Sequence, residues 1–208
     1  MSRRTRIVWL SFLAAMTGAI GLLVLGEGGL NGGRLIAASV GSLGEREPVD
    51  SIFQTDVPLD HQRWTGIVIH DLGRPAGDAQ SIHRLHQGYG YQGLGYHFLI
   101  GNGNGLGDGI IHVGYRWNEQ RAGAHIARTA ANEQYLNEHT IGICLIGNGD
   151  RRPFTERQNR SLVSLVRRLQ QKLGIPGSAV YRHSELAPGV SDPGRFFAVA
   201  RFEDQLLD

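Results

Sequence analysis

The sequence predicts a mixed α/β domain over residues 53–208, with a central mixed β-sheet flanked by helices. Short β-branched runs of strand length alternate along this region with longer runs whose apolar residues recur every three or four positions. Such alternation favours a sheet covered by helices. Residues 27–52 are rich in Gly and show little periodicity, which is typical of a linker, so the domain is expected to begin near residue 53.

Five short apolar segments are predicted to be strands. The segment Thr140–Ile146 is apolar on both faces, which predicts a central position in the sheet. The first and last strands each end at a histidine. The five predicted strands are Gly66–His70, Gly95–Ile100, Gly109–Val113, Thr140–Ile146 and Val180–His183.

Two helices are predicted from their caps and apolar spacing. Asp78 can cap the first, and Thr155 with Gln158 forms the capping-box pattern of the second. The second helix carries one apolar stripe and is expected to end at Gly174-Ile175-Pro176. The stripe consists of Leu162, Val166, Leu169 and Leu173.

The N-terminus predicts export. Arg3, Arg4 and Arg6 precede an uncharged stretch, residues 7–26, close to the roughly 20 residues that cross a bilayer as a helix. The arginines should stay cytoplasmic, leaving the domain outside. Residues 1–26 are therefore predicted to be a signal anchor, with a cleaved signal peptide as the alternative. Both place the domain in the periplasm or another extracytoplasmic space, anchored to the cytoplasmic membrane or secreted.

Composition excludes some function classes. The net charge of +2 and the scattered arginines argue against nucleic acid as a partner. The single cysteine, Cys144, cannot form an intrachain disulfide, so the fold must rest on its core or on a metal. A cysteine inside an apolar strand is expected to be a small core residue rather than a nucleophile. We expect the chain to be a monomer.

Two histidines and an aspartate form a candidate metal site. His70 and His183 end apolar strands, and Asp192 follows His183 beyond a Pro-Gly turn. Two imidazoles and a carboxylate are a common ligand set of catalytic zinc, and zinc lowers the pKa of a water ligand to about 7. Spacing alone does not single out this set, because the chain has 9 histidines and core or surface roles fit each of them.

Five sequence blocks in order carry a family resemblance over about residues 62–200. Together they resemble the type-2 N-acetylmuramoyl-L-alanine amidases, the relatives of phage T7 lysozyme and of the peptidoglycan recognition proteins. The blocks are IVIH at 67–70, GYHFLI at 95–100, GAH at 123–125, IGICLIGN at 141–148 and HSELAPG at 183–189 with DPG at 192–194.

The resemblance implies a site and a reaction. His70, His183 and Asp192 match the three ligands of Zn²⁺, at the floor of a groove. Tyr96 matches a catalytic tyrosine whose hydroxyl lies by the metal, and His125 is a second catalytic candidate that lines the groove. The implied substrate is peptidoglycan or muropeptides, cut at the amide bond between N-acetylmuramic acid and L-alanine.

One position departs from the family's pattern. Many catalytic members have a lysine two residues before the third ligand, where this chain has Val190, which can supply neither charge nor a hydrogen bond. His125 or Arg182 could replace that donor. Two other functions therefore stay open, a non-catalytic peptidoglycan-binding module of the same fold and a zinc hydrolase of another N-acyl amino acid or peptide.

The remaining histidines are expected to be structural or on the surface. His97 follows Tyr96 in a predicted strand and should point to the opposite face. His86 lies one turn from Ile82, which suits a core or surface position. No role is predicted for the others, His61, His83, His112 and His139.

Overall fold

The computed structural model describes residues 49–208, so the predicted anchor and residues 27–48 of the predicted linker lie outside the described residues. Within residues 49–208, no helix is long and apolar enough to cross a membrane. The strands are β1 (Gly66–Asp71), β2 (Phe98–Ile100), β3 (Ile111–Val113), β4 (Thr140–Leu145) and β5 (Val180–Arg182). The α-helices are α1 (Ala79–Gly88), α2 (Tyr115–Asn118), α3 (Glu133–His139), α4 (Glu156–Leu173), α5 (His183–Leu186) and α6 (Val199–Glu203), with 3-10 helices at Val49–Phe53 and Gly177–Ala179.

The five strands form one mixed sheet in the order β3-β2-β4-β1-β5. The strand β4 is central, as its two apolar faces predict. It pairs in parallel with β1 and β2, and β5 pairs in parallel with β1. Only the edge strand β3 runs antiparallel, to β2. The predicted mixed α/β fold is confirmed for the described residues.

The two faces of the sheet have different coverings. Ile67 and Ile69 of β1 point into the main core, which α4 closes with its stripe of leucines and valines. Val68 and His70 alternate with them and point to the other face. That face is covered by α1, by the segment 126–130 and by the end of α5. The candidate ligand His70 therefore lies on the side of the sheet that α4 does not occupy.

The caps predicted from the sequence start both long helices. Asp78 accepts a hydrogen bond from the Ser81 amide at 2.8 Å, which starts α1. Thr155 accepts one from the Gln158 amide at 3.0 Å, which starts α4. Gly174 ends α4 with φ at 71°, a left-handed conformation that glycine adopts without strain.

Four predicted strands are shorter than expected. The strand β3 begins at Ile111 rather than Gly109, and β4 ends at Leu145 rather than Ile146. Side-chain hydrogen bonds account for the other two, β2 and β5. The Gly142 amide donates to the side-chain Nδ1 of His97 at 2.9 Å rather than to a backbone carbonyl, so β2 begins only at Phe98. Tyr96 and His97 therefore precede the strand. At the other end of the domain, Glu185 accepts a hydrogen bond from the Arg182 amide at 2.7 Å. This contact starts α5, and His183 is its first residue rather than the last residue of β5.

Candidate metal centre

Three elements bring the predicted ligands together. His70 lies on β1 beside Cys144 of the central strand, His183 opens α5, and Asp192 lies in the loop that follows. Asp192 contacts both histidines, with Oδ1 2.8 Å from Nδ1 of His183 and Oδ2 3.3 Å from Nδ1 of His70. One ligand atom from each residue lies within 4.8 Å of the others. The structure thus brings the three candidate ligands together.

Burial and the mutual contacts set the charges of this cluster. Burial raises the pKa of Asp192, but its contacts with His183 and His70 outweigh burial and lower that pKa to about 2. Burial lowers the pKa of His70, and the contact with Asp192 offsets burial only in part. At neutral pH the cluster therefore contains an ionised carboxylate beside a neutral imidazole.

A hydrogen-bonded chain behind His70 determines which of its nitrogens carries the proton. The Thr140 carbonyl can only accept, so His125 must donate to it through Nε2, at 3.2 Å. Burial lowers the pKa of His125 well below its usual value, so the ring is neutral and its Nδ1 accepts. His70 Nε2 then donates to that Nδ1 at 3.0 Å. A neutral His70 is left with the lone pair of Nδ1 facing Asp192.

This arrangement fits a metal cation. The unprotonated Nδ1 of His70 and the ionised Oδ2 of Asp192 face each other as two acceptors, which a cation between them would satisfy. His183 Nδ1 and Asp192 Oδ1 are buried without a hydrogen-bond partner, because their 2.8 Å contact lacks hydrogen-bond geometry. Two imidazoles and a carboxylate are ligands that suit zinc.

The backbone around His183 also bears on metal binding. The Ala127 amide donates to Nε2 of His183 at 2.9 Å, which leaves Nδ1 as the nitrogen that faces Asp192. A cation on Nδ1 requires the ring proton on Nε2, so the Ala127 amide would have to turn away from the ring in the loaded protein.

Glycines make room for His125. A Cβ on Gly142 would lie 2.6 Å from the His125 ring, and one on Gly123 would lie 2.2 Å from it. The Asn137 side chain also accepts hydrogen bonds from the amides of His125 and Ile126, at 2.8 and 3.1 Å. The GAH block and the glycine of the central strand therefore place this ring against the sheet, behind His70.

His125 differs from its predicted catalytic role. It is 7% exposed, and both ring nitrogens bond to interior partners, His70 and the Thr140 carbonyl. No ring nitrogen is left for a substrate, so we assign His125 as a positioning residue for His70. His97 is structural, as predicted. It bonds the Arg121 carbonyl and the Gly142 amide, and burial lowers its pKa to about 3.

Tyr96 lies beside the candidate ligands. Its ring centroid is 5.2 Å from that of His70. Burial raises the pKa of the Tyr96 hydroxyl and that of the Cys144 thiol well above their usual values, so both stay protonated. Cys144 is fully buried and is a core thiol, as expected. Tyr96 can therefore act as a neutral hydrogen-bond donor.

The position of the usual lysine is apolar here. Val190 packs against a cluster that includes Ile126 and Ala187. Arg182, one of the two substitutes considered, has its guanidinium paired with Glu185 at 2.5 Å. Neither residue therefore places a free cation at the cluster.

Sequence reasoning missed Asp71. Its carboxylate accepts hydrogen bonds from the amides of Gly149 and Gly73, at 2.6 and 2.9 Å, and burial raises its pKa to about 6. Gly149 packs against the Pro193 carbonyl, next to Asp192. Asp71 thus connects the loop after β4 to the loop that carries the third ligand. The position of Asp71 directly after the candidate ligand His70 could have identified it from the sequence.

Together these features define the class, a mixed α/β domain with a buried cluster of two histidines and one carboxylate that fits a catalytic metal. The family model described as N-acetylmuramoyl-L-alanine amidase matches residues 60–195, more than half of the chain. The chain therefore belongs to the N-acetylmuramoyl-L-alanine amidase family, as the sequence blocks predict.

Solved structures with the same fold include amidases and recognition proteins. The endolysin N-acetylmuramoyl-L-alanine amidase LysCS from Clostridium intestinale is 27% identical, with 73% of this chain and 89% of that one covered and a TM-score of 0.58. AmpD (22% identical, 70% and 86% covered, TM-score 0.54) and bumblebee PGRP-SA (22% identical, 66% and 80% covered, TM-score 0.53) are similar in fold alone. No match was found among curated proteins.

Proposed function

We propose that this chain is a zinc-dependent N-acetylmuramoyl-L-alanine amidase that hydrolyses the amide bond between N-acetylmuramic acid and L-alanine in peptidoglycan. The observation that carries the proposal is the position of Asp192, whose carboxylate faces the Nδ1 atoms of His70 and His183. Family membership and the likeness to LysCS support the choice of reaction.

The three ligand residues would hold the metal. When bound, zinc supplies Lewis acidity, which polarises a carbonyl and lowers the pKa of water. Asp192 contributes the negative charge of the site, and its low pKa keeps it ionised at neutral pH. His125 keeps the proton of His70 on Nε2, so that Nδ1 stays available as a ligand.

The reaction adds water across an amide. Oxygen from water joins the lactyl carbonyl carbon, the C–N bond breaks, and the muramoyl fragment keeps a carboxylate while L-alanine leaves as an amine. Negative charge develops on the carbonyl oxygen, where a fixed donor is most effective. We assign that role to Tyr96, because its ring centroid is 5.2 Å from that of His70 and burial raises the pKa of its hydroxyl, which stays protonated.

Digestion of purified sacculi tests the proposal. We expect the zinc-loaded chain to release stem peptides that begin with L-alanine, as identified by mass spectrometry. The activity should disappear with a chelator and return with added zinc. Asp192→Ala should be inactive while remaining folded by circular dichroism. Thr155→Ala, which removes a helix cap and a hydrogen bond to Asp108 but touches none of the three cluster residues, serves as a control that should stay active.

A non-catalytic peptidoglycan-binding module is the second candidate, and Val190 is the observation that favours it. The apolar packing of Val190 leaves the cluster without the cation that many catalytic relatives have. In the same digestion, a folded, zinc-loaded chain that pelleted with sacculi but released no peptide would support the module and refute the amidase.

We also propose that residues 7–26 anchor the chain in the cytoplasmic membrane, with the domain as an extracytoplasmic monomer. The uncharged stretch and its arginine flank support this location. The full chain should remain in the membrane fraction after alkaline washing and be degraded by protease added outside the cytoplasm. Release by the wash would indicate a cleaved signal peptide.

A further inference from the structure

The helix α4 has a strongly basic exposed face. It buries its apolar stripe against the sheet and turns its charged side chains to solvent. Its only acidic residue, Glu156, is paired with Arg201 at 2.8 Å. We call this surface the basic face, and it consists of Arg157, Arg160, Arg167, Arg168 and Lys172, all exposed.

At one end of the basic face, Arg157 lies 4.0 Å from Asp108. A shallow depression around Ser164 is lined by basic, polar and aliphatic side chains. Among the described residues that line it, none is acidic. They are Arg160, Val163, Ser164, Arg167, Arg168, Gln171 and Gln205. A surface of this kind attracts a polyanion rather than a neutral or cationic partner.

The chain enters the domain beside this face. The 3-10 helix Val49–Phe53 packs against α4, and the Lys172 ammonium lies 5.8 Å from the centre of the Phe53 ring. The predicted membrane anchor ends at residue 26. The 22 residues 27–48 separate it from Val49. Under the anchor proposed above, the tether joins the domain next to the C-terminal end of α4.

We propose that the basic face docks on the anionic phospholipid surface of the membrane. Cationic side chains close to anionic headgroups each add to the attraction. The candidate metal centre lies on the opposite side of the sheet from α4, so docking turns it away from the membrane. The amidase proposed above would then present its site to the cell wall. The inference rests on the proposed anchor but not on catalysis.

Fluorescence energy transfer on the full chain in lipid nanodiscs tests the orientation. Cys144 is the only native cysteine and is buried, so one introduced cysteine can be labelled at a time. One label is placed at Ser164→Cys, on the basic face. The other is placed at Thr129→Cys, an exposed position two residues after the Ala127 contact with His183. The acceptor dye is carried by a lipid headgroup.

In nanodiscs of phosphatidylglycerol and phosphatidylcholine, transfer should be higher from position 164 than from position 129. The difference should disappear in pure phosphatidylcholine and at high salt. Replacing Arg160, Arg167 and Lys172 with glutamine should reduce the ratio of docked to undocked domain roughly 100-fold. The matched control removes three exposed arginines elsewhere, with Arg74, Arg84 and Arg128 changed to glutamine, and should keep the difference.

Three results would overturn the proposal. Equal transfer from both labels in anionic discs would show that the domain does not dock through α4. Failure of the full chain to insert into nanodiscs would remove the tether on which the inference rests, whatever the outcome of sacculus digestion. Equal transfer combined with charge-dependent binding of soluble polyphosphate would assign the basic face to a phosphate polymer instead of the membrane.

Discussion

Replacing His125 with alanine should weaken zinc binding without a change in any ligand. His125 accepts a hydrogen bond from Nε2 of His70 and donates one to the Thr140 carbonyl. These two bonds leave the lone pair of His70 on Nδ1, where it faces Asp192. Without His125, the buried Nε2–H of His70 loses its acceptor and the ring loses its fixed orientation.

The size of the effect follows from burial. His70 is 0% exposed, so bulk water cannot replace the lost acceptor directly. An unpaired buried donor costs about 1–3 kcal/mol, which corresponds to a roughly 5- to 150-fold loss in zinc affinity. The lower end applies if a water molecule enters the space that the ring leaves. Hydrogen-bond partners that orient metal-bound histidines typically raise metal affinity about 10- to 100-fold.

Competition with a chromophoric zinc chelator measures this affinity on the purified full chain. In His125→Gln, the amide can both accept from His70 and donate to Thr140, so zinc affinity should return to within about threefold of the parent chain. His139→Ala is the control, because His139 also bonds a backbone carbonyl, that of Arg63 at 3.1 Å, but touches no ligand. An alanine variant at 125 that bound zinc as tightly as the parent chain would refute the positioning role.

Three further predictions concern stability, measured by urea unfolding. Burial holds the pKa of His97 near 3, against 6.5 for a free histidine, so the folded state loses about 2 kcal/mol from this group between pH 7 and pH 5. The free energy of unfolding of His97→Gln should therefore fall by about 2 kcal/mol less between pH 7 and pH 5. An unchanged pH dependence in this variant would contradict the low pKa of His97. Gly142→Ala should cost about 1–3 kcal/mol, because the new Cβ would lie 2.6 Å from the His125 ring. A neutral effect would mean that the ring moves freely. Thr155→Ala should cost about 1–2 kcal/mol through loss of the helix cap, and a cost below about 0.3 kcal/mol would show that the cap is dispensable.

The sequence predicted the central parts of the fold well, because there a single principle decides the structure. The strand β4 is apolar on both faces, and only a central position buries both. The N-cap, the apolar stripe and the terminal glycine of α4 can all be recognised in the amino-acid sequence. The order of the family blocks also pointed to the three candidate ligands, which β1, α5 and the following loop bring together.

Two of the errors in strand bounds occur where a side chain replaces a backbone partner. The strand expected at Gly95–Ile100 is cut short because His97 Nδ1 takes the Gly142 amide. His183 begins a helix because Glu185 accepts from the Arg182 amide. The role of His125 depends on which interior groups its two nitrogens meet. Such contacts join residues far apart in the chain, and neither periodicity nor spacing encodes them.

Hydrolysis of a muramoyl-L-alanyl dipeptide in ¹⁸O-labelled water tests the central claim most directly. The chain should be loaded with one zinc per molecule and the products analysed by mass spectrometry. The account predicts one ¹⁸O atom in the muramoyl carboxylate, unlabelled L-alanyl peptide with a free amine, and no turnover by Asp192→Ala. An intact substrate in the presence of the folded, zinc-loaded chain would contradict the account and leave a peptidoglycan-binding module in its place.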